Sequence, residues 1–512
     1  MALYCSGSQS NSPSSFHRVF RAFVIIALVV LASLTVERWR GIQALHDLEA
    51  KAGIPNPQKL WPAPSAGAMQ FLNQFTQAMA QLPPSFNKYG GMVPAMVDAG
   101  PGLARRGSQE LTPGAGVGNW EMLGKIVREA DPALQNLRRL MKEPAAGVEY
   151  DISARLAEGG WPSYMPGRSG AQALQTAAIY DLHRGNLPGA LENLVALGHA
   201  VKIRADDPSL VSYMIRVAVL GLYDDAAWDA LQAGGWTDQQ LALLQQVCED
   251  APQVSQLPAV FQAEQVSHIH DMKWFRSNSY EDWFRRYQDI YKSFGRKLPA
   301  ARGSKAEYEW NNWVRHPTWS FAWADQEIVH YLESTGQELA AIQTAARQPS
   351  WSRLQQDVAH VRQSYVPPVA AWRFYRELPL TELLSGSAGG PVVPDKWPYV
   401  DFSRAWYHTF RNLTQHDMLM TAIALKRYEL RHGKPPSNLS SLCPEFLASV
   451  PLDLMDGQVL RYRLEPGNTF TLYSVGKDGE DNGGDASPNE AVHCTGSEWA
   501  AGKDWVWPRL KH

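Results

Sequence analysis

Two stretches of this chain combine residue types and spacings that could do chemistry. The first is Asp478-Gly479-Glu480-Asp481-Asn482-Gly483-Gly484-Asp485, which packs four carboxylates into eight residues. Carboxylates this close repel one another, and the repulsion falls when a hard cation such as calcium takes their oxygens, while the glycines let the chain wrap. Asp478, Glu480, Asn482 and Gly483 also half-fit an EF-hand loop. Its twelfth position is Asn489 rather than a bidentate Glu, however, and the flanks read as a strand and a loop, not helices. A solvated acidic turn is the competing reading of the same residues.

The second stretch is Glu264, His268 and Asp271, spaced i, i+4, i+7, so that one helix face would offer a carboxylate, an imidazole and another carboxylate to a metal. It lacks the His-Glu-x-x-His arrangement of two imidazoles and a base, and a solvated helix face is the stronger reading. No Gly-x-Ser-x-Gly elbow and no phosphate-cradling glycine loop ending in Lys-Ser or Lys-Thr occurs. Gly386-Ser387-Ala388-Gly389-Gly390 lacks strand-to-helix flanks and reads as linker. Aromatic residues gather at Trp274, Phe275, Trp283, Phe284, Tyr287, Tyr291, Trp310, Trp313, Trp319, Trp323 and Trp372. They would suit a sugar or peptide cleft, but their helical spacing favours core packing.

These residues sit in a chain of 512, long enough for one large or several smaller folded units. Hydrophobic residues make up 45% and charged residues 19%, which excludes disorder and a coiled coil. Lys plus Arg number 48 against 51 Asp plus Glu, so no basic excess exists to neutralise a phosphate backbone, and no nucleic-acid partner is expected. No small-molecule substrate can be identified from the sequence.

Ala22 to Val36 carries no charge, follows His17, Arg18 and Arg21, and precedes Glu37-Arg38-Trp39-Arg40. It is short for a membrane span, but Phe20 and the arginine stems on either side extend it by snorkelling. A cleaved signal would find a small residue at Val30-Leu31-Ala32. The apolar character runs past that point into an interfacial Arg-Trp-Arg, which favours an uncleaved anchor. Arginines are nearly balanced across it. The short N-terminus and large C-terminal body then point to N-in, C-out, placing the bulk outside the cytoplasm. Cys443 and Cys494 would be free to pair in that compartment.

From about residue 41 to 400 the periodicity is helical, broken by Pro/Gly clusters rather than by alternating strands. Residues 82 to 118 read as an irregular connection. Ala171 to Arg184 presents Leu174, Ala177, Ala178 and Leu182 on one face, and Gly185-Asn186-Leu187-Pro188 turns into a second helix with Ala190, Leu191, Leu194, Leu197 and Val201. Asp207-Pro208 opens a third helix, and Gln239 to Glu249 forms another. One hairpin of this set is similar to a tetratricopeptide unit, but no second copy follows, so the body reads as an irregular helical domain.

The C-terminal part changes character. A helix from Tyr407 to Arg431 stops at His432-Gly433 before Pro435-Pro436, and Val459 to Leu464 and Thr469 to Val475 read as a hairpin across Glu465-Pro466-Gly467-Asn468. Ala424-Leu425-Lys426-Arg427-Tyr428, His432-Gly433-Lys434-Pro435-Pro436, Leu439, Leu442, Pro451, Asp453, Asp456-Gly457, Leu460-Arg461-Tyr462 and Leu472-Tyr473-Ser474-Val475-Gly476-Lys477-Asp478-Gly479 follow in order. In that order and spacing the segment resembles the periplasmic part of the type II secretion major pseudopilins, the protein G family, over roughly the last hundred residues.

The resemblance implies a calcium-binding loop, with Asp478 matching the family's Asp-Gly step, Asp485 its later acidic ligand, and Asp481 as an extra candidate. The chain departs from the family in having no prepilin processing motif and in the long separation between its apolar segment and the pilin-like helix. Polymerisation as a pilin subunit is therefore not expected.

The expected architecture is mainly α. Residues 1-21 form a cytoplasmic N-terminus, 22-36 a transmembrane anchor, 41-384 an irregular helical domain, 385-394 a linker and 395-512 a small α+β pseudopilin-like module. The role expected of this arrangement is a non-enzymatic structural or interaction protein of the cell envelope, with the membrane and envelope proteins as partners. A wall hydrolase or carbohydrate binder using the aromatic-rich body, with Glu264 and His268 as acid and base, is the alternative.

Overall fold

The computed structural model describes residues 13–52, 60–83, 120–149, 151, 165–282, 285–286, 305–364, 402–487 and 502–507. The fold is mainly α, with one apolar N-terminal helix and a small antiparallel sheet near the C-terminus. The chain divides into two compact units that interleave along the sequence: 1–54, 268–334 and 366–399 make the first, and 55–267, 335–365 and 400–512 the second. The linker expected at 385–394 lies outside the described residues. So do Cys494, Gly386 to Gly390, Trp283, Phe284, Tyr287, Tyr291 and Trp372.

In the first unit, α1 (Pro13–Ala52) contains the apolar segment, and its Arg18–Glu49 stretch is long and apolar enough to cross a membrane. The side chains there face outward, Ile26 at 63% exposed. The helix does not stop where the apolar run stops. Its continuation buries Leu45 against Ile269, Ile328, Val329, Tyr331 and Leu332, while Gln326 Nε2 donates to Glu37 O at 2.8 Å and Lys273 Nζ pairs with Glu49 at 3.2 Å. Gly41 marks the crossing point, because a Cβ there would meet Gln326 Cγ at 3.0 Å.

The second unit is a stack of helices: α2 (Ala66–Ala80), α3 (Trp120–Leu140), α4 (Met165–His183), α5 (Leu187–His199), α6 (Leu210–Gln232) and α7 (Asp238–Gln246). Their starts follow local chemistry. The Asn186 side chain accepts from Gly189 N at α5, Ser209 accepts from Ser212 N at α6, and Thr237 with Gln240 forms a capping box at α7. Leu174, Ala177, Ala178, Leu182, Ala190, Leu194 and Leu197 are buried, as their spacing predicts.

The helix α8 (Ser403–His432) ends at Gly433, whose φ of 73° is the left-handed cap that a side chain resists. Strands β1 (Arg461–Glu465) and β2 (Thr469–Ser474) form the expected hairpin, with Arg461 opposite Tyr473, and β3 (Trp505–Val506) adds antiparallel to β2. This C-terminal part does not form a core of its own. Phe410, Met418, Leu425, Leu472, Val475 and Trp505 belong to one apolar cluster with Phe75, Leu134, Leu194 and Phe261. The backbone of Trp351 and Ser352 donates to Leu454 O and Met455 O at 2.8 and 3.0 Å, and Gln245 Nε2 reaches Met420 O and Phe446 O.

Candidate functional site

The acidic loop follows β2 through Gly476, where φ is 71° and a Cβ would lie 2.6 Å from Lys503 O, so that only glycine fits the turn. Each candidate aspartate then closes a turn of its own. Asp478 Oδ1 accepts from Glu480 N at 3.1 Å, Asp481 Oδ1 from Gly483 N at 2.9 Å, and Asp485 Oδ1 from Ser487 N at 2.9 Å. Asp481 also receives the Tyr473 hydroxyl at 3.1 Å and faces Arg461 Nε at 3.5 Å, and Asp485 faces Lys503 Nζ at 3.2 Å. The structure thus spreads Asp478, Asp481 and Asp485 along the loop without bringing them to one point. Among the described residues, no three His, Cys, Asp or Glu side chains gather as ligands.

What the loop does wrap is another carboxylate. Asp504, fully buried, accepts from Asn482 N at 3.1 Å, Gly484 N at 2.7 Å and Asp485 N at 3.2 Å, all on Oδ2. Backbone N–H groups face inward, and a cation placed among them would meet the positive ends of these dipoles. The donor set as arranged does not fit a calcium cage. The Ser487 N–H, with its side chain and Lys503, pushes the Asp485 carboxyl down to about 2, the Gly483 N–H lowers that of Asp481, and burial raises that of Asp504.

Behind the loop lies a buried hub. Asp453, with no exposed surface, accepts from Met455 N at 3.0 Å and Ser474 Oγ at 2.8 Å on Oδ1, and from Val475 N and Arg461 Nη1, both at 2.9 Å, on Oδ2. Arg461 also forks onto Asp456. This carboxylate joins the Pro451–Asp456 turn to both strands, which explains why an acid stands at the centre of the module. It is charge-assisted scaffolding with no open face for a substrate.

Glu264, His268 and Asp271 do not converge either. Glu264 Oε1 accepts from Leu210 N at 2.9 Å, supporting the first turn of α6, His268 packs against the Tyr331 ring at 4.4 Å, and Asp271 pairs with Arg286 Nη2 at 2.9 Å. Burial raises the Asp271 carboxyl against the pull of Arg286. Of the aromatic residues, Phe275 packs on His316 and Trp319 in a core, Arg286 stacks on Trp274 at 4.4 Å, and Trp313 stands 72% exposed.

Sequence reasoning missed one ionisable cluster. Asp224 on α6 and His416 on α8, both buried, meet at 2.7 Å through Oδ1 and Nδ1, with Asp417 beside them. Burial alone would lower His416, but the Asp224 carboxylate overrides it and holds the imidazole above its ordinary value. Burial pushes Asp417 up to about 7. Nearby Cys248 is a buried free thiol, raised well above its ordinary value by burial, and Cys443 is a half-buried one. The partners lie 192 positions apart, so no local pattern signals the pair; the only hint is an acid on the apolar face with Leu220, Tyr223 and Ala227.

No protein-family model, curated protein or solved structure matches the chain.

Proposed function

We propose that this chain is a membrane-anchored, extracytoplasmic structural or interaction protein of the cell envelope, linked to a secretion or pilus-like assembly. The observation that carries the anchor is the continuity of α1 from its apolar stretch into the packed stem around Leu45, Gly41 and Glu37. Glu37, Gly41 and Leu45 lie beyond Ala32 and would survive a cut there, so their packing supports a helix that enters the body directly, while the apolar run past Ala32 into Arg38-Trp39-Arg40 supports its being uncleaved. In this reading the body lies on the C-terminal side of the bilayer, out of the cytoplasm.

The link to a secretion assembly rests on the likeness of the C-terminal segment to the type II major pseudopilins. The order helix, glycine stop, short turn and hairpin supports that likeness, and the way its helix is built into a larger core supports a fixed role over polymerisation. Strand β1 is one of the two outer strands of the described sheet, and Leu464 on it and Val459 just before it are 41% and 54% exposed. This edge offers an apolar contact for an envelope partner. A hydrolase acting through Glu264 and His268 gains no support from side chains that serve a helix start and a ring contact.

Protease added to the outer side of sealed membranes tests the orientation: it should remove a C-terminal epitope, and full protection would reverse the topology. Cross-linking to a secretion component from a probe at Arg463, exposed on the same strand, lost in Val459→Asp with Leu464→Lys while the chain stays folded, would support the assembly link. Labelling unchanged by those substitutions would remove it.

A further inference from the structure

Beyond the anchor itself, the first unit carries an apolar stripe that folding leaves uncovered. The segment Lys305–Trp310, the π turn Asn311–Arg315 and the helix His316–Ala322 run on from one another, and Trp313, Pro317 and Phe321 are exposed at i, i+4 and i+8. Trp313 is 72% and Phe321 39% exposed, while Trp319 and Ala322 between and beside them are buried, so the segment has a packed face and an unpacked apolar one.

The position of this stripe identifies what covers it. Arg38, two residues past the end of the uncharged run, donates from Nη1 to Phe321 O at 3.4 Å and lays its guanidinium over the Phe321 ring at 4.8 Å. Trp39, 64% exposed, and Arg40 follow on α1, and Val36 and Ile42, at 47% and 40%, are exposed on the same stretch. An amphipathic Trp flanked by arginines directly after a span is the composition of the headgroup level, where aromatic rings with a polar edge and snorkelling cations are both satisfied. The Trp313 indole has that form too: its Nε1 donates to Glu309 at 2.9 Å, leaving the apolar body of the ring outward.

We propose that the Trp313–Pro317–Phe321 face lies in the lipid headgroup and upper acyl region beside the anchor, so that the protein is held by a transmembrane helix and by a second, non-spanning contact with the same leaflet. The occupant is lipid because Phe321 touches Arg38 of α1 at the level where lipid begins, and Val36 and Trp39, one turn apart on α1, are exposed as well. The inference rests on the reading that α1 spans the membrane.

Full-length chain reconstituted in phosphatidylcholine vesicles, with Cys5, Cys443 and Cys494 changed to Ser, would carry a nitroxide at Pro317→Cys, Val30→Cys or Ser440→Cys. Oxygen and a water-soluble nickel chelate then compete to relax each label. The label at position 30 should favour oxygen, that at 440 the nickel chelate, and that at 317 oxygen by severalfold over 440. Trp313→Ser with Phe321→Ser, both at exposed sites, should return the 317 label to the aqueous pattern without changing the circular dichroism. A 317 label that matches 440 while 30 stays lipid-facing overturns the stripe and leaves the anchor. A 30 label that matches 440 overturns both.

Discussion

Asp453 gives the most demanding test of how the C-terminal part is held. Replacing it by Ala removes the acceptor of the Met455 and Val475 backbone N–H groups, the Ser474 hydroxyl and one arm of Arg461. The hydroxyl can turn elsewhere and Arg461 keeps Asp456, so the cost falls mainly on two buried amides at about 1–3 kcal/mol each, with a share for the guanidinium. The sum, about 2–6 kcal/mol, brackets the cost of breaking a buried pair by removing one partner, about 3–5 kcal/mol. Asp453→Asn should be only slightly milder, because its NH2 would face donors on one side. Amide exchange read by mass spectrometry on the full chain in detergent should rise in peptides spanning 453–475 and in 349–354, whose backbone donates to Leu454 and Met455. Unchanged exchange in both peptides for Asp453→Ala would refute the hub.

Asp417, raised to about 7 from an ordinary 3.8, keeps a proton in the folded chain that the unfolded chain has lost. Stability should therefore fall as pH rises between those values and level off above, with a slope of up to about 1.4 kcal/mol per pH unit. His416 adds a loss in the same direction as pH rises through its raised value. Asp417→Asn should flatten the denaturant midpoint across this window; an unaltered slope would reject the assignment. Asp504→Ala should open the loop around 482–485, at a cost of about 1–3 kcal/mol, and expose it to limited proteolysis. Calcium should leave the unfolding temperature equal to that in chelator; a rise abolished by Asp478→Ala with Asp485→Ala would show that the loop rearranges around a cation. Gly41→Leu, which forces a Cβ against Gln326, should weaken the stem by about 1–3 kcal/mol, read as faster exchange in 41–49 and 325–332.

The local signals in the sequence translate well into structure. Asn186, Thr237 with Gln240, and Gly433 each satisfy backbone groups within a few positions of themselves, so their residue types alone mark helix ends. Glu465 to Asn468 marks a hairpin for the same reason. What the sequence hides is contact between distant positions. Nothing near Trp351 signals that its amide will find Leu454, and nothing near Asp504 signals that three amides some twenty positions earlier will close on it. The acidic loop shows the limit from the other side: local charge density suggested a shared cation, whereas Asp478, Asp481 and Asp485 each accept from the second amide after them, and Asp481 and Asp485 also face Arg461 and Lys503. The apolar run at 22–36 is legible by composition, but its extension into the stem depends on Gly41 and Leu45 meeting residues some 280 positions away.

The cluster that joins Phe75 to Trp505 also sets an order of events during synthesis. The chain emerges with helices 66–246 first, yet the residues that close their shared core arrive only with α8 and, last, with a strand of two residues near the end. Until Trp505 is delivered, the early helices hold apolar faces without their final partner. Local helix hairpins form fast, but closure waits for contacts of very long sequence separation. Trp505 is thus among the last of the core residues to become available. Any delay at the C-terminal end leaves those apolar faces exposed for longer.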